Sequence, residues 1–588
     1  MAIDLASGKS RLEPLSVEEQ VSFIGGAGLG AWLLYRHCPP GIDPLSPEAP
    51  LVFARGPFLG AGVPGSAKMA VACKSPLTGF VGDSLSSGPV AEELSRMPFD
   101  ALIIKGRASG FAVLYIEDDS VRLVDVGPLA GLSAQETAVK VRSILKAPDA
   151  KVAAIGPAGE ALVRFACISN GGRQAGRTGA GAVMGAKNLK AVAFKGSVTQ
   201  PLPAPELPEL IARLGEAMQS KATAKYRGPG TVANLVTLNA AGALPAYNFR
   251  QYAFDGAESL SVESLEKRRS RGSGGEMSRE WEHAYSAKGS RTRTRLEYES
   301  LFAFGPMCGV SDPDVVIRAS GLCDRLGVDT ISAGGTMAWA MESFERGLLA
   351  RADTGGLDLC FGNGPALLAA IEQLGRGEGV GGLLAEGSRM AAARTGGGSE
   401  AWAMHVKGLE MPGYHPGRLR HLALALAVSP RGACHNRASA YDFDLSDDDA
   451  RRADAPQIGR TVAEAEDLAA VLDSLVLSKF VRRALRDFFP EATHVYRLAT
   501  GHDVGADDLR AAGGRINLVR KAFNIREGWS REDDVLPPRV FEGGEVTESG
   551  LEEMIRAYYG ARSWDSDGLP TRDSLRKLGI GIPSETPV

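Results

Sequence analysis

The chain has 588 residues, with 66 Lys and Arg against 70 Asp and Glu, a net charge of −4 and a pI near 6.2. That near-balance excludes bulk attraction to nucleic acid or to acidic lipid. No apolar run reaches the roughly 18 residues of a membrane span, and the first residues, MAIDLASGKSRLEPLS, lack the apolar core of a secretory leader.

The seven cysteines, Cys38, Cys73, Cys167, Cys308, Cys323, Cys360 and Cys434, are scattered, without zinc or iron–sulfur spacing. Reduced thiols in a cytoplasmic protein are expected. Glycine is abundant, with 72 residues spread along the chain. Such a distribution implies tight turns and places where backbone approaches a ligand.

Residues 1 to about 200 read as strand-rich. Short apolar runs at 51–54, 69–73, 101–104, 111–116, 121–124, 151–155 and 191–194 are punctuated by Gly, Pro, Asp and Ser. One helix follows a Ser133/Glu136 capping box, and another is expected around 31–35. Three Gly-rich loops, 60–68, 82–88 and 171–181, offer backbone N–H groups and guanidinium forks to phosphate oxygens, or are ordinary turns. None has the context of a P-loop or dinucleotide fingerprint.

The Pro-rich stretch 201–210 marks a domain boundary, after which helices are expected at 206–220, 313–326, 336–349, 364–374, 381–395, 462–488, 506–523 and 549–560. The helix at 313–326 has Asp312 as cap and Pro313 in its first turn. Its apolar stripe includes Cys323, which is therefore a core residue before it is a ligand. Residues 267–295 hold nine Lys and Arg against three Glu and lack apolar periodicity. This segment is either a solvated loop or a docking patch for an acidic partner.

Two hexads share one shape: Asp324-Arg-Leu-Gly-Val-Asp329 and Asp473-Ser-Leu-Val-Leu-Ser478. A chain that presents one acidic motif twice is suited to holding two copies of one ligand. Glu297 and Glu299 form a carboxylate pair, read either as strand-face charges or as chemistry. Among the histidines at 405, 415, 421 and 435, His435 on a Gly-containing loop is the best acid/base candidate.

These stretches, with GGAGLGAWLLY (25–35), the run from Ile155 to Ala193, LEYESLFAFG (296–305), SPRGACH (429–435) and AFNIREGWSREDDVLP (522–537), resemble the aldehyde ferredoxin oxidoreductase family from end to end. The resemblance implies an α+β protein: a β-rich N-terminal pterin-binding domain (1–205) followed by two mainly helical domains (206–410 and 411–588). It implies one tungsten or molybdenum held by the dithiolenes of two pterins, with no protein ligand to the metal. By position, Asp324, Gly327 and Asp329 would hold one pterin and Asp473 and Leu477 the other. Lys68, Arg173, Ala175, Gly176 and Arg177 would lie at the phosphates, with magnesium as a further ligand there. Glu299 and His435 match the family's active-site carboxylate and imidazole.

The chain also departs from the pattern. The family carries three cysteines just before the LEYES stretch and a fourth closing the second hexad, and these hold a 4Fe-4S cluster. Here the corresponding loop has no cysteine and the hexad ends in Ser478, so no cluster is expected. Leu85 stands where the family has the Asn that helps bridge the pterin phosphates. Three readings follow. The first is an aldehyde oxidoreductase whose electrons leave by another route, with a redox partner at 267–295 and a homo- or hetero-oligomeric assembly. The others are a redox-neutral, hydratase-type enzyme and a silent structural paralogue.

Overall fold

The computed structural model describes residues 1–199, 204–220, 224, 228, 230–268, 282–287, 290–446, 448–479, 485 and 487–578. Two six-stranded mixed sheets form its N-terminal part. The first comprises β1 (Ala2–Asp4), β2 (Lys9–Arg11), β3 (Leu51–Arg55), β4 (Lys68–Lys74), β5 (Val81–Ser87) and β6 (Ala101–Lys105), in the order β2-β1-β6-β3-β4-β5. The second comprises β7 (Ala112–Glu117), β8 (Ser120–Asp125), β9 (Lys151–Ala154), β10 (Ile168–Asn170), β11 (Arg173–Ala175) and β12 (Leu189–Lys195), in the order β11-β10-β9-β12-β7-β8.

Strand alternation decides how the sheets pack. In β3, Leu51 and Phe53 face the second sheet and join a core with Ile116, Val192 and Phe194. The rings of Phe53 and Phe194 meet edge to face at 6.3 Å. Val52 and Ala54 point the other way, under helix α1 (Gly26–His37), with its Ala27, Leu29 and Leu33. Helix α2 (Ala134–Leu145) covers the outer face of the second sheet in the same way through Ala134 and Val141.

The remainder is mostly helical, in agreement with an α+β class. A hairpin of β13 (Glu282–Ala287) and β14 (Ser290–Arg295) leads into α3 (Tyr298–Phe304), α4 (Pro313–Leu326) and α5 (Thr330–Glu345). Further on come α6 (Arg420–Val428), α7 (Ala455–Ser474), α8 (Ala506–Arg526) and α9 (Glu548–Ala561). Among the described residues, no helix is long and apolar enough to cross a membrane.

Several expectations need correction. The helix expected around 31–35 runs from Gly26, because its glycines allow close crossing with the end of α7. A Cβ on Gly26 would lie 2.7 Å from the carbonyl oxygens of Asp473 and Ser474. The Gly28 N–H donates to Ser474 Oγ at 3.0 Å. Residues 82–88, read as a loop for their Ser and Gly, form strand β5, which pairs with β4 along its whole length. Within 171–181, the β10–β11 hairpin precedes a helix from Ala180 to Ala186. The helix expected at 381–395 is two, Gly381–Leu384 and Ser388–Thr395. The one expected at 462–488 stops at Ser474, and a separate helix begins at Phe488. In 267–295, the described residues 282–287 and 290–295 pair as strands through backbone bonds, which apolar periodicity cannot reveal.

Candidate active site and cofactor cradle

Both hexads are helix ends built alike. In the first, Asp324 lies in the last turn of α4, and Gly327 closes the helix in the left-handed conformation at φ 79°. The Val328 N–H reaches back to the Cys323 carbonyl at 3.0 Å. In the second, Asp473 lies in the last turn of α7 and Val476 takes the left-handed place at φ 55°. The Leu477 N–H reaches the Leu472 carbonyl at 3.0 Å. This shared six-to-one closure is the Schellman geometry.

The carboxylates differ in setting. Asp324 is half-buried, not buried as a pair of equivalent anchors would require. It accepts from Thr294 Oγ1 of β14 at 2.9 Å and faces Gln174 Nε2 at 3.5 Å. Asp473 is fully buried, takes a direct ion pair from Arg437, and keeps Oδ1 without a protein donor. Asp329 caps α5, accepting from the Ile331 and Ser332 N–H groups. Gly327 packs against Gly156, and Leu477 lies in an apolar core.

Of the residues expected near phosphate, Lys68 and Arg173 are half-buried at the starts of β4 and β11. Ala175 is a core residue, and the Gly176 carbonyl accepts from the Cys167 thiol at 3.1 Å. Arg177 is buried, and each guanidinium nitrogen has a protein acceptor: Ala433 O at 2.7 Å, Glu410 O at 2.6 Å and Asp329 Oδ2 at 3.4 Å. It ties the segment that follows β11 to the loop that carries His435.

Sequence reading missed a buried charge cluster. Asp83 on β5 pairs with Arg437 at 2.9 Å and Arg520 of α8 at 3.1 Å, with Arg431 at 3.9 Å. Burial alone would raise the Asp83 carboxyl, yet these guanidinium groups hold it down at about 2. Arg431, Arg437 and Arg520 are all buried, and the Nε of each lacks a hydrogen-bond partner. Available signals were Arg520 among the apolar residues Ile516, Val519 and Phe523, and two arginines flanking Cys434-His435.

Glu299 sits in the first turn of α3, behind Glu297 at the N-cap. Its Oε2 accepts from the Gly413 N–H at 2.9 Å, while Tyr298 Oη donates to the Gly413 carbonyl. One glycine residue is thus held through both of its flanking peptide groups. Glu299 Oε1 lies 3.4 Å from His435 Nε2 and has no hydrogen-bond partner. Burial pushes Glu299 up to about 7, against the Gly413 N–H and Arg177. Burial drives His435 well below its ordinary range, and Arg177, Lys479, Arg431 and Arg437 add to this, so the imidazole is neutral. Asn436 Nδ2 lies 2.9 Å from His435 Nε2. With Asn436 donating there, the ring proton is on Nδ1, which meets no protein acceptor. The other three histidines between 405 and 435 are structural: His421 pairs with Asp444 at 2.9 Å, and His405 and His415 accept from nearby N–H groups.

Among the described residues, no group of three or more His, Cys, Asp or Glu side chains is placed to hold a metal ion. The cradle instead suits an anionic organic group. Four buried arginines, 177, 431, 437 and 520, face the buried carboxylates of Asp83, Asp329 and Asp473. Buried cations in excess call for a further anion.

The N-terminal family model for aldehyde ferredoxin oxidoreductase matches residues 1–196, and the model for its domains 2 and 3 matches residues 209–580. The tungsten-containing aldehyde ferredoxin oxidoreductase of Pyrococcus furiosus is 32% identical, over 98% of both chains. An aliphatic sulfonate oxidoreductase, WOR-like subunit, from the same organism is 28% identical over 98% of this chain and 96% of its own. Among solved structures, the active-site complex BamBC of benzoyl coenzyme A reductase shares the fold. Its TM-score is 0.86 at 23% identity, covering 99% of this chain and 96% of that one. The chain belongs to the aldehyde ferredoxin oxidoreductase family and is an oxidoreductase of that type.

Proposed function

We propose that the protein oxidises an aldehyde to a carboxylic acid at a tungsten–bis-pterin centre. The observation that carries this reading is the juxtaposition of the Glu299–His435 pair with a buried cluster of arginines whose Nε atoms lack hydrogen-bond partners among the described residues. Arg431, Arg437 and Arg520 would hold the anionic part of the cofactor, with Lys68 and Arg173 at the strand ends. Asp473 Oδ1 and Asp324 would accept from pterin N–H groups. When bound, such a centre supplies a two-electron acceptor for RCHO + H2O → RCOOH + 2 H+ + 2 e−.

The chain's own groups supply the proton chemistry. Glu299 Oε1 takes a proton from the attacking water, while the Gly413 N–H fixes Oε2. A carboxyl poised at about 7 is matched to that task near neutral pH. His435 donates from Nδ1 to the aldehyde oxygen as charge develops there. Electrons leave by a route other than a cluster of this chain, through an acceptor docked at the β13–β14 hairpin. Support for that face comes from the basic composition of 267–295 and from the Thr294–Asp324 bond, which seats the hairpin on α4. A relative named as a subunit supports assembly with such an acceptor.

The test joins elemental analysis for tungsten, molybdenum, iron and magnesium to dye-linked aldehyde oxidation by wild type and Glu299→Gln. The variant should retain metal and lose ~10²–10⁴ in rate. Wild-type kcat/KM should rise as pH rises through about 7, where Glu299 loses its proton, and this limb should be absent from the variant. Metal-loaded protein that oxidises no aldehyde would overturn the reading, and full cluster iron would overturn the electron route.

A further inference from the structure

The loop that carries His435 runs directly into Tyr441, which opens the short helix Tyr441–Ser446. The His435 ring lies 5.4 Å from Tyr414 and 6.0 Å from Tyr441. Tyr414 and Tyr441 stack at 4.4 Å with 20° between their planes, and Tyr298 meets Tyr414 edge to face at 5.4 Å. Four rings therefore form one continuous array that begins at the proposed catalytic imidazole. Tyr298 and Tyr414 are buried, whereas Tyr441 is only half-buried. Glu299 also keeps 15% of its side-chain surface accessible. Glu299 and Tyr441 are thus the partly exposed members of the group that surrounds His435.

We infer that the site selects aryl aldehydes, with Tyr441 as the specificity-determining ring and Tyr414 as its backing. This rests on the aldehyde-oxidising reading above. Rigid π-faces reward a flat ring by stacking, beyond the area it buries, whereas an aliphatic chain gains from area alone. An anionic tail is disfavoured, because Glu299 belongs to the site and Asp442 follows Tyr441 on its helix. The buried arginines are turned to Asp83 and Asp473. The reaction balances as ArCHO + H2O → ArCOOH + 2 H+ + 2 e−. The aldehyde C–H bond and a water O–H bond break, a C–O bond forms, and the two electrons pass to two equivalents of a one-electron acceptor, a viologen dye in the assay.

The experiment compares benzaldehyde with propionaldehyde in the holoenzyme, for wild type, Tyr441→Phe and Tyr441→Leu. Calorimetric binding of benzoate and propionate adds a readout that needs no turnover. Wild type should favour benzaldehyde in kcat/KM by about tenfold or more, and Tyr441→Phe should keep that ratio. Tyr441→Leu should lower it about tenfold, the equivalent of ~1.4 kcal/mol, and weaken benzoate by a similar factor. A wild-type ratio near one, or a ratio unmoved by Tyr441→Leu, overturns the inference. If Tyr441→Leu loses its metal, the wild-type ratio and the wild-type preference for benzoate over propionate decide. Benzoate held more tightly than propionate by an enzyme that oxidises no aldehyde would uphold the aryl slot and sink the function reading instead.

Discussion

The two hexads have the same backbone and opposite environments. Gly327 takes the left-handed position of the first without cost, whereas the second places the β-branched Val476 there. Asp324 is half-buried under a hairpin threonine, and Asp473 is buried against Arg437. The repeat is therefore one of helix termination, and the chemistry of each copy is set by what packs on it. The side chain of Val476 fills the space beside Gly26 and Gly56, where a Cβ on Gly56 would come within 2.2 Å of it. Packing offsets strain in the second copy, while in the first, relief of strain leaves room for close contact with Gly156.

The sharpest way to break the comparison is to remove each carboxylate. Asp473→Ala leaves Arg437 buried beside Asp83 alone, and should cost about 3 kcal/mol, as for other broken buried pairs. Asp324→Ala, at a half-buried site, should cost about 1 kcal/mol. Denaturant unfolding of both variants, with pterin content measured alongside, checks the ordering. Equal losses would mean that the two sites share one environment, and pterin that stays stoichiometric in both would remove the anchoring role.

Exchanging the left-handed residues should separate strain from packing. Gly327→Val adds about 1–2 kcal/mol of backbone strain and brings its Cβ to 3.1 Å from the Gly156 nitrogen, so a loss of about 2–3 kcal/mol is expected. Val476→Gly relieves comparable strain but forfeits a buried side chain worth about 1.5–3 kcal/mol. Its net loss should be only about 1 kcal/mol. A stabilised Val476→Gly protein would show that strain outweighs packing there.

Acid should probe the second site through Asp83. Its carboxyl titrates lower in the folded chain than in the unfolded one, at about 2 against 3.8. The stability it contributes is therefore complete above about 4 and is lost as pH falls towards 2. The amount is about 2 kcal/mol for a side chain this buried. Asp83→Asn should flatten that part of the pH–stability curve, and an unchanged acid limb would remove Asp83 from the account.

How much was legible follows from what each element is made of. Strands β3, β4, β6, β7 and β12 are unbroken apolar runs and declare themselves. Strand β5, VGDSLSS, does not, because its buried polar groups are satisfied by distant parts of the chain. Ser84 Oγ donates to the Arg177 carbonyl at 2.9 Å, and Asp83 meets arginines from two other segments. Helix α1 carries glycines, poor helix formers, at 26, 28 and 30, yet these are what let it cross α7. Glu299 and His435 could be singled out by resemblance, but not their mutual distance or the two contacts of Gly413, one to Glu299 and one to Tyr298. Arg431 and Arg437 lie on one loop and Arg520 far downstream on α8, and an isolated arginine in a sequence carries no mark of burial.

The hydrogen bond from Gly28 to Ser474 joins positions 446 residues apart. The ribosome delivers the N-terminal residues first, so α1 must wait for α7 before its glycine face has anything to rest on. Closure of so long a loop is slow and comes late in folding. The second hexad, Asp83 and Arg437 come together only after nearly the whole polypeptide has been made. Loading of any cofactor there is thus a step that follows synthesis, and the newly made chain must persist with its cradle open until that step occurs.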